Sequence, residues 1–364
     1  MKILNNSSKT LIIISFILLC FGLLMVYSSS GVTQEDSFKY FKKQFMWSLL
    51  GICLFYIFSK YDYKKLKKWS KPLIFISCIL LVAIYIFSKP ISGAKRWLSF
   101  GGINFQVSEL AKISIIIFLA DYFDKNKSKI KYFFKGLGIP LFIVGLICLL
   151  IAFEPDIGTP SVIVFVSFII FFIAGVKITH LLTIVAVILP GFIYLLFDKP
   201  YRIKRILALI DPWKYSEEVG YQLIQSILSL GSGGIFGKGL GHSDLKKNIL
   251  PAQYTDFIFS IIGEEMGLIG TLSVLILFSL LLFVGYKISK NAPDMFGQLL
   301  SIGLILPIVV QAYFNIAVCI GLLPTKGLVL PFISYGGSSL ALTLMSVGIL
   351  DNISKHKTKF SIIR

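Results

Sequence analysis

The residues best suited to chemistry lie at 250–267, which read LPAQYTDFIFSIIGEEMG. A Pro-marked loop end leads into Thr255-Asp256, followed by an apolar run that carries the adjacent acids Glu264 and Glu265. For a helix beginning at Asp256, helical spacing puts Asp256, Ser260, Gly263, Glu264 and Gly267 on one face. An acid at the mouth of a membrane helix, with a polar stripe below it, is a candidate reaction site. Asp is also a favoured N-cap residue, so the same acid could do no more than start the helix. A second group lies in 93–112, GAKRWLSFGGINFQVSELAK. There Glu109 and Lys112 are three apart and meet on one helix face, either as a functional pair facing a polar cavity or as a self-neutralising packing pair. Glu154 and Asp156, in FEPDIGT, could bind a cation or cap the next helix. Lys95, Arg96, Arg202, Lys204 and Arg205 suit a polyanionic lipid headgroup such as a diphosphate, because guanidinium forks match phosphate oxygens; ordinary anionic lipid is the plainer ligand. An acid beside a diphosphate-binding surface points to glycosyl or phosphoryl transfer on a lipid-linked substrate.

The elements that must position these residues are membrane helices. The chain of 364 residues is 56% hydrophobic and only 15% charged, with 32 Phe. Ten apolar blocks stand out, at 10–30, 44–59, 72–88, 108–122, 136–153, 157–175, 181–197, 257–286, 298–320 and 336–351. Most approach the roughly 20 residues that cross a bilayer. The expected fold class is therefore an all-α polytopic membrane protein with about ten spans, organised as one domain over 1–364. The first block reads as an uncleaved span, too long for a signal-peptide core. A net charge of +18 would suggest nucleic acid in a soluble protein; between apolar blocks it reflects membrane orientation instead, and no nucleic-acid partner is expected. With the N-terminus inside, the inner segments carry 20 Lys and Arg against 7 on the short outer loops, so both termini are expected in the cytoplasm.

That orientation makes 198–256 a long extracytoplasmic segment between the seventh and eighth spans. Its core, GYQLIQSILSLGSGGIFGKGLGHS, predicts an amphipathic helix and a Gly-rich loop. The loop fits neither a phosphate-binding loop nor a dinucleotide fingerprint, and reads as tight turns beside the membrane. The stretch 322–340, LLPTKGLVLPFISYGGSSL, is broken by Pro and Gly, which is tolerated at membrane depth where backbone lines a cavity or is buried in protein. The five cysteines lie in apolar runs without CxxC spacing and the three histidines are scattered, so no disulfide framework or zinc site is expected.

Five of these stretches, GAKRWLSFGGINFQVSELAK, FEPDIGT, GYQLIQSILSLGSGGIFGKGLG, TDFIFSIIGEEMG and LPTKGLVLPFISYGGSS, resemble in sequence and order those of the SEDS family (shape, elongation, division and sporulation). The resemblance covers nearly the whole chain. It is greatest to the FtsW branch through Leu323-Pro324-Thr325-Lys326-Gly327, since RodA-like members usually carry a different tripeptide after the Pro. It implies a peptidoglycan glycosyltransferase that polymerises lipid II at the outer face of the cytoplasmic membrane in septal wall synthesis. It also implies a class B penicillin-binding protein (an FtsI-like transpeptidase) and divisome proteins as partners. By the same resemblance Asp256 is essential, Glu109 and Lys112 form a second important pair, and Trp97 is an important outer-loop aromatic. Substrate contacts are expected from Lys95, Arg96, Trp97, Arg202 and Arg205. A divalent cation, Mg or Mn, is implied without a visible site, with Asp256 as one conceivable ligand. The chain departs from the family pattern at Ala252, Tyr254 and Glu154, where Glu, His and Gln are usual. Lipid II flipping is the alternative activity, since intramembrane charge in a ten-span bundle suits transport too; elongation rather than division is the alternative setting.

Overall fold

The computed structural model describes residues 7–30, 38–88, 96–100, 103–154, 156, 158–197, 200–217, 219–244, 254–325 and 327–356. Each apolar block of the sequence has become a helix. In chain order these are α1 (Ser7–Ser30), α2 (Lys39–Lys60), α3 (Ser70–Phe87), α4 (Val107–Lys125), α5 (Gly138–Ala152), α6 (Gly158–Ile173) and α7 (Ile178–Phe197). The long segment contributes α8 (Pro200–Ile210) and α9 (Gly220–Ser232), and α10 (Ile258–Lys290), α11 (Met295–Cys319) and α12 (Gly337–Lys355) follow. The chain is thus an all-α integral membrane protein with one β element. Residues expected as plain loop form a hairpin of β1 (Trp97–Phe100) and β2 (Ile103–Gln106), antiparallel, with Trp97 opposite Gln106. Four-residue strands are too short to show a convincing alternation, so only the Gly101-Gly102 pair hinted at the turn.

Charge dictates which helices sit inside. Five helical stretches are individually long and apolar enough to cross a membrane. α4, which carries Glu109, Lys112 and Asp121, is not one of them; it lies in the interior with all three buried. Lipid is the wrong solvent for those groups, and packing α4 against α3, α6 and α11 supplies the right one. α3, α5 and α7 instead expose Phe75, Phe142 and Leu182. α2 and α12 pack closely because glycines let them: a Cβ on Gly51 would lie 2.5 Å from the Leu344 side chain, and one on Gly348 would lie 2.5 Å from the Phe55 carbonyl oxygen.

Two interruptions shape the cavity end of the bundle. α10 is kinked at Gly267, whose φ of 64° and ψ of −158° suit glycine alone. The kink exposes backbone groups that the Gly-rich loop after α9 satisfies: Lys238 N–H donates to the Glu264 carbonyl (2.9 Å), Gly239 N–H to that of Glu265 (3.0 Å), and Leu268 N–H to that of Gly234 (2.9 Å). The tight turns expected of this loop are therefore a splint for the kink. The broken stretch before α12 is largely buried in protein from Leu328 onward, while Leu322 and Gly327 are exposed. Side-chain amides replace its missing helical bonds, Gln44 Nε2 donating to the Ser334 carbonyl (3.1 Å) and Gln311 Nε2 to that of Val329 (3.1 Å).

Candidate active site

Asp256 sits in the turn 254–257, two residues before the start of the helix that was expected to begin with it. α10 starts at Ile258, and its N-cap position is Phe257, which offers no side-chain bond. Asp256 is therefore not the cap. The predicted polar stripe also turns elsewhere. Ser260 Oγ pairs with Ser226 Oγ of α9 (2.5 Å), while Glu264 accepts from Lys238 Nζ (2.8 Å), Ser243 Oγ (2.6 Å) and Asp244 N–H (3.0 Å). The stripe anchors the long segment, leaving Asp256 as the acid that faces open space. The reverse holds for Asp156, where the cap reading is correct: its carboxylate accepts from Thr159 N–H (3.2 Å) and Thr159 Oγ1 (2.7 Å) at the start of α6.

The backbone around Asp256 is fastened from several directions. Asn315 Nδ2 on α11 donates to the Asp256 carbonyl (2.7 Å) and to the Leu328 carbonyl (2.6 Å), tying the acid's turn to the broken stretch. Ser334 Oγ donates to the Thr255 carbonyl (2.5 Å), and Tyr335 N–H to that of Tyr254 (3.0 Å). Gly327, at φ 63°, approaches so closely that a Cβ there would lie 3.3 Å from Asp256 Oδ2. A carboxylate held through its main chain keeps its side chain available.

The space it faces is a cavity of about 930 Å³, whose lining includes Arg96, Trp97, Glu109, Arg205 and Asp256. Desolvation pushes the Asp256 carboxyl up; the Thr255 hydroxyl and the charges of Arg96 and Arg205 pull it back, leaving it at about 6. Arg96 is steadied by donating from Nε to the Glu154 carbonyl (3.3 Å), and Arg205 from Nη1 to the Thr325 carbonyl (2.8 Å). Both guanidinium groups thus direct positive charge at the acid. Burial lowers Arg205 from its ordinary value, yet a guanidinium stays charged at neutral pH.

Glu109 and Lys112 form the predicted pair at 2.8 Å, each side chain about 8% exposed. Their remaining bonds run to other helices: Ser339 Oγ donates to Glu109 Oε2 (3.1 Å), and Lys112 Nζ donates to Gln311 Oε1 (2.9 Å). The pair joins α4 to α11 and α12. Glu109 reaches the cavity lining, whereas Lys112 borders a separate small void of about 30 Å³ lined mainly by apolar side chains.

Of the expected cations, Arg96 and Arg205 line the cavity. Arg202 is directed to Tyr201, its Nε 3.1 Å from the phenolic oxygen, and Arg202 and Lys204 are absent from the described lining. Lys95 falls outside the described residues. Lys43 lines the cavity without having been singled out; its spacing from Tyr40 and Trp47 on α2 is the helical signal that could have found it. Gln311 and Asn315, four apart on α11, were missed because single amides carry no motif. The donor set does not build a resident metal site: among the described residues no three His, Cys, Asp or Glu converge, and of the two lining acids Glu109 is already paired.

The family model for the cell cycle proteins FtsW, RodA and SpoVE matches residues 9–359. A probable peptidoglycan glycosyltransferase FtsW from Geobacter sp. (strain M18) is 39% identical, over 97% of this chain and 98% of its own. Stage V sporulation protein E from Bacillus subtilis (strain 168) is 40% identical, over 95% and 96%. Among solved structures, a chain described under "Structural coordination of polymerization and crosslinking by a peptidoglycan synthase complex" aligns with a TM-score of 0.80 at 25% identity, over 96% of this chain and 98% of that one. The rod shape determining protein RodA from Thermus thermophilus aligns at 0.72 and 24% identity, over 96% and 97%, a likeness of fold.

Proposed function

Since the chain belongs to the FtsW, RodA and SpoVE family of cell cycle proteins, we propose that it is a peptidoglycan glycosyltransferase polymerising lipid II, and that Asp256 is its general base. The observation that carries this reading is a carboxyl near pKa 6 held in a cavity between two guanidinium groups. In this mechanism the growing glycan, linked to undecaprenyl diphosphate, is the donor, and the sugar 4-hydroxyl of lipid II is the acceptor. Asp256 takes the hydroxyl proton as the oxygen attacks C1. The C1–O bond to the diphosphate breaks, the anomeric configuration inverts, and undecaprenyl diphosphate leaves with the electron pair. Arg96 and Arg205 supply positive charge where the leaving group gains negative charge. Mg or Mn, implied by the family resemblance, would add further charge neutralisation, and Asp256 is the lining carboxylate that would be left to hold it.

The relatives' names and the distribution of Lys and Arg support the setting. We place the protein in the cytoplasmic membrane with both termini inside and 198–256 outside, in septal wall synthesis, beside a class B penicillin-binding transpeptidase and the divisome. A synthase complex that couples polymerisation to crosslinking, the subject of the solved relative, supports the pairing. Lipid II flipping is disfavoured by the opposite end of the bundle, where the buried carboxylate of Asp351 accepts from Ser8 Oγ, Ser59 Oγ and Lys355 Nζ (each 2.5 Å) and holds α1, α2 and α12 together. The deciding experiment incubates purified lipid II with the protein and its cognate transpeptidase. Polymer from wild type and none from an intact, partner-bound Asp256→Ala is expected; equal polymer from both would remove Asp256 from the chemistry.

A further inference from the structure

Three tyrosines from three separate segments meet beside Asp256, and the chemistry assigned to the acid does not use them. Tyr40 is on α2, Tyr254 is two residues before Asp256, and Tyr335 is at the end of the broken stretch before α12. The rings of Tyr40 and Tyr254 lie 4.3 Å apart at an interplanar angle of 30°; Tyr335 stands edge-on to both, at 5.1 and 6.1 Å. Tyr254 Oη donates to Tyr40 Oη (2.9 Å), and the Tyr254 carbonyl holds Tyr335 N–H (3.0 Å). All three line the cavity, with Trp47 one helical turn further along the α2 face that bears Tyr40 and Lys43.

This composition differs from what a diphosphate or a polyprenyl chain requires. A diphosphate needs cations, which Arg96 and Arg205 supply. A polyprenyl chain needs aliphatic surface without phenolic oxygens. Aromatic faces carry negative charge at the ring centre, and the axial C–H bonds of a pyranose, polarised by neighbouring oxygens, present a weakly positive apolar patch to such a face. The ring hydroxyls of a sugar need polar partners, which the side-chain amides of Gln106, Gln222 and Asn104 offer in the same lining. Because Tyr254 and Asp256 share one turn, a sugar seated on this wall lies next to the base.

We propose that Tyr40, Tyr254 and Tyr335 form the platform that seats the acceptor sugar, orienting its hydroxyl toward Asp256. They are positioning residues for the transfer reaction, and the inference rests on the glycosyltransferase reading above. Its test measures binding rather than turnover, so that it does not depend on Asp256 acting as the base. Full-length Asp256→Asn protein in nanodiscs is titrated with two lipids, lipid II and sugar-free undecaprenyl diphosphate. Adding Tyr254→Leu is expected to weaken lipid II binding about tenfold, equivalent to about 1.4 kcal/mol, and to leave the sugar-free lipid within about twofold. Tyr254→Phe is expected to retain binding of both, since the ring carries the contact. Tyr40→Leu, on a different element, guards against a folding failure and is expected to show the same selective loss. Equal loss of both lipids, or unchanged lipid II affinity in both Leu variants, overturns the platform. Failure of the Tyr-intact protein to bind lipid II at all overturns the glycosyltransferase reading itself.

Discussion

A carboxyl that burial lifts to about 6 is largely ionised at neutral pH while still basic enough to accept a proton, which is what a general base needs. Only the ionised form accepts, so kcat/KM for polymerisation is expected to rise with pH through about 6 and then level. Asp256→Asn should lose about 10²–10⁴-fold in rate and abolish that limb; a steady-state pH series checks both, and an unchanged limb in the variant would assign it to another group. Glu154 supplies a second pH prediction, this time for stability. It is 2% exposed, neither carboxyl oxygen has a partner, and burial with the nearby charge of Asp156 pushes it up to about 8. The folded state therefore binds this proton more tightly than the unfolded chain does. The associated stability is complete below the ordinary value near 4.5 and is lost as pH rises through about 8. Glu154→Gln should match wild type at pH 4 and exceed it at pH 9, by about 2–4 °C per kcal/mol relieved, in thermal melts of the detergent-solubilised protein.

At the scale of elements, buried charge and missing side chains determine how helices meet. Lys112 is bound to Glu109 and Gln311, and removing it would strand a buried carboxylate, a loss of about 3–5 kcal/mol. Lys112→Met is thus expected to lower Tm sharply, and the double variant Glu109→Gln/Lys112→Met to recover much of it. Recovery of stability without recovery of activity would separate the pair's packing role from the role of Glu109 at the cavity. The kink in α10 makes a comparable prediction. A Cβ on Gly267 would lie 2.5 Å from Gly237 N and from the Ile235 carbonyl oxygen, at a φ and ψ that only glycine adopts comfortably. Gly267→Ala should cost at least about 1–3 kcal/mol and loosen the Gly-rich splint, read as faster hydrogen exchange at Lys238 and Gly239. Unchanged exchange there would mean that the loop is held by something other than the kink.

The whole molecule is asymmetric along its long axis. The N-terminal ends of α2 and α12 frame the cavity, whereas their C-terminal ends are latched at Asp351, roughly 30 Å away at 1.5 Å per helical residue. Among the described residues, α4, α11 and α12 fill the interior between the cavity beside Asp256 and the latch. Liposomes containing the protein are therefore expected to elongate fluorescent lipid II on the accessible leaflet without moving it across. Translocation at the rate of polymerisation would refute the one-ended architecture. Asp351→Ala, which removes the acceptor from Ser8, Ser59 and Lys355, should lower Tm by several degrees and is the variant in which leakage across the bundle would first appear.

Membership in the bilayer, the spanning helices and the conspicuous place of Asp256 were legible in sequence because they rest on local properties. Apolar runs near the bilayer thickness become helices whatever their neighbours, and a lone acid at the mouth of such a run is conspicuous. The i, i+3 ion pair and the cap at Asp156 were legible for the same reason. Tertiary structure alone decided where polar groups face. The stripe from Ser260 to Glu264 satisfies the long segment rather than the cavity, Arg205 reaches the cavity lining while Arg202, over the same Tyr201 ring, does not, and Tyr40, Tyr254 and Tyr335 become neighbours across almost 300 residues. Contacts between distant segments depend on how ten helices pack together, and helical periodicity describes each helix without its partners.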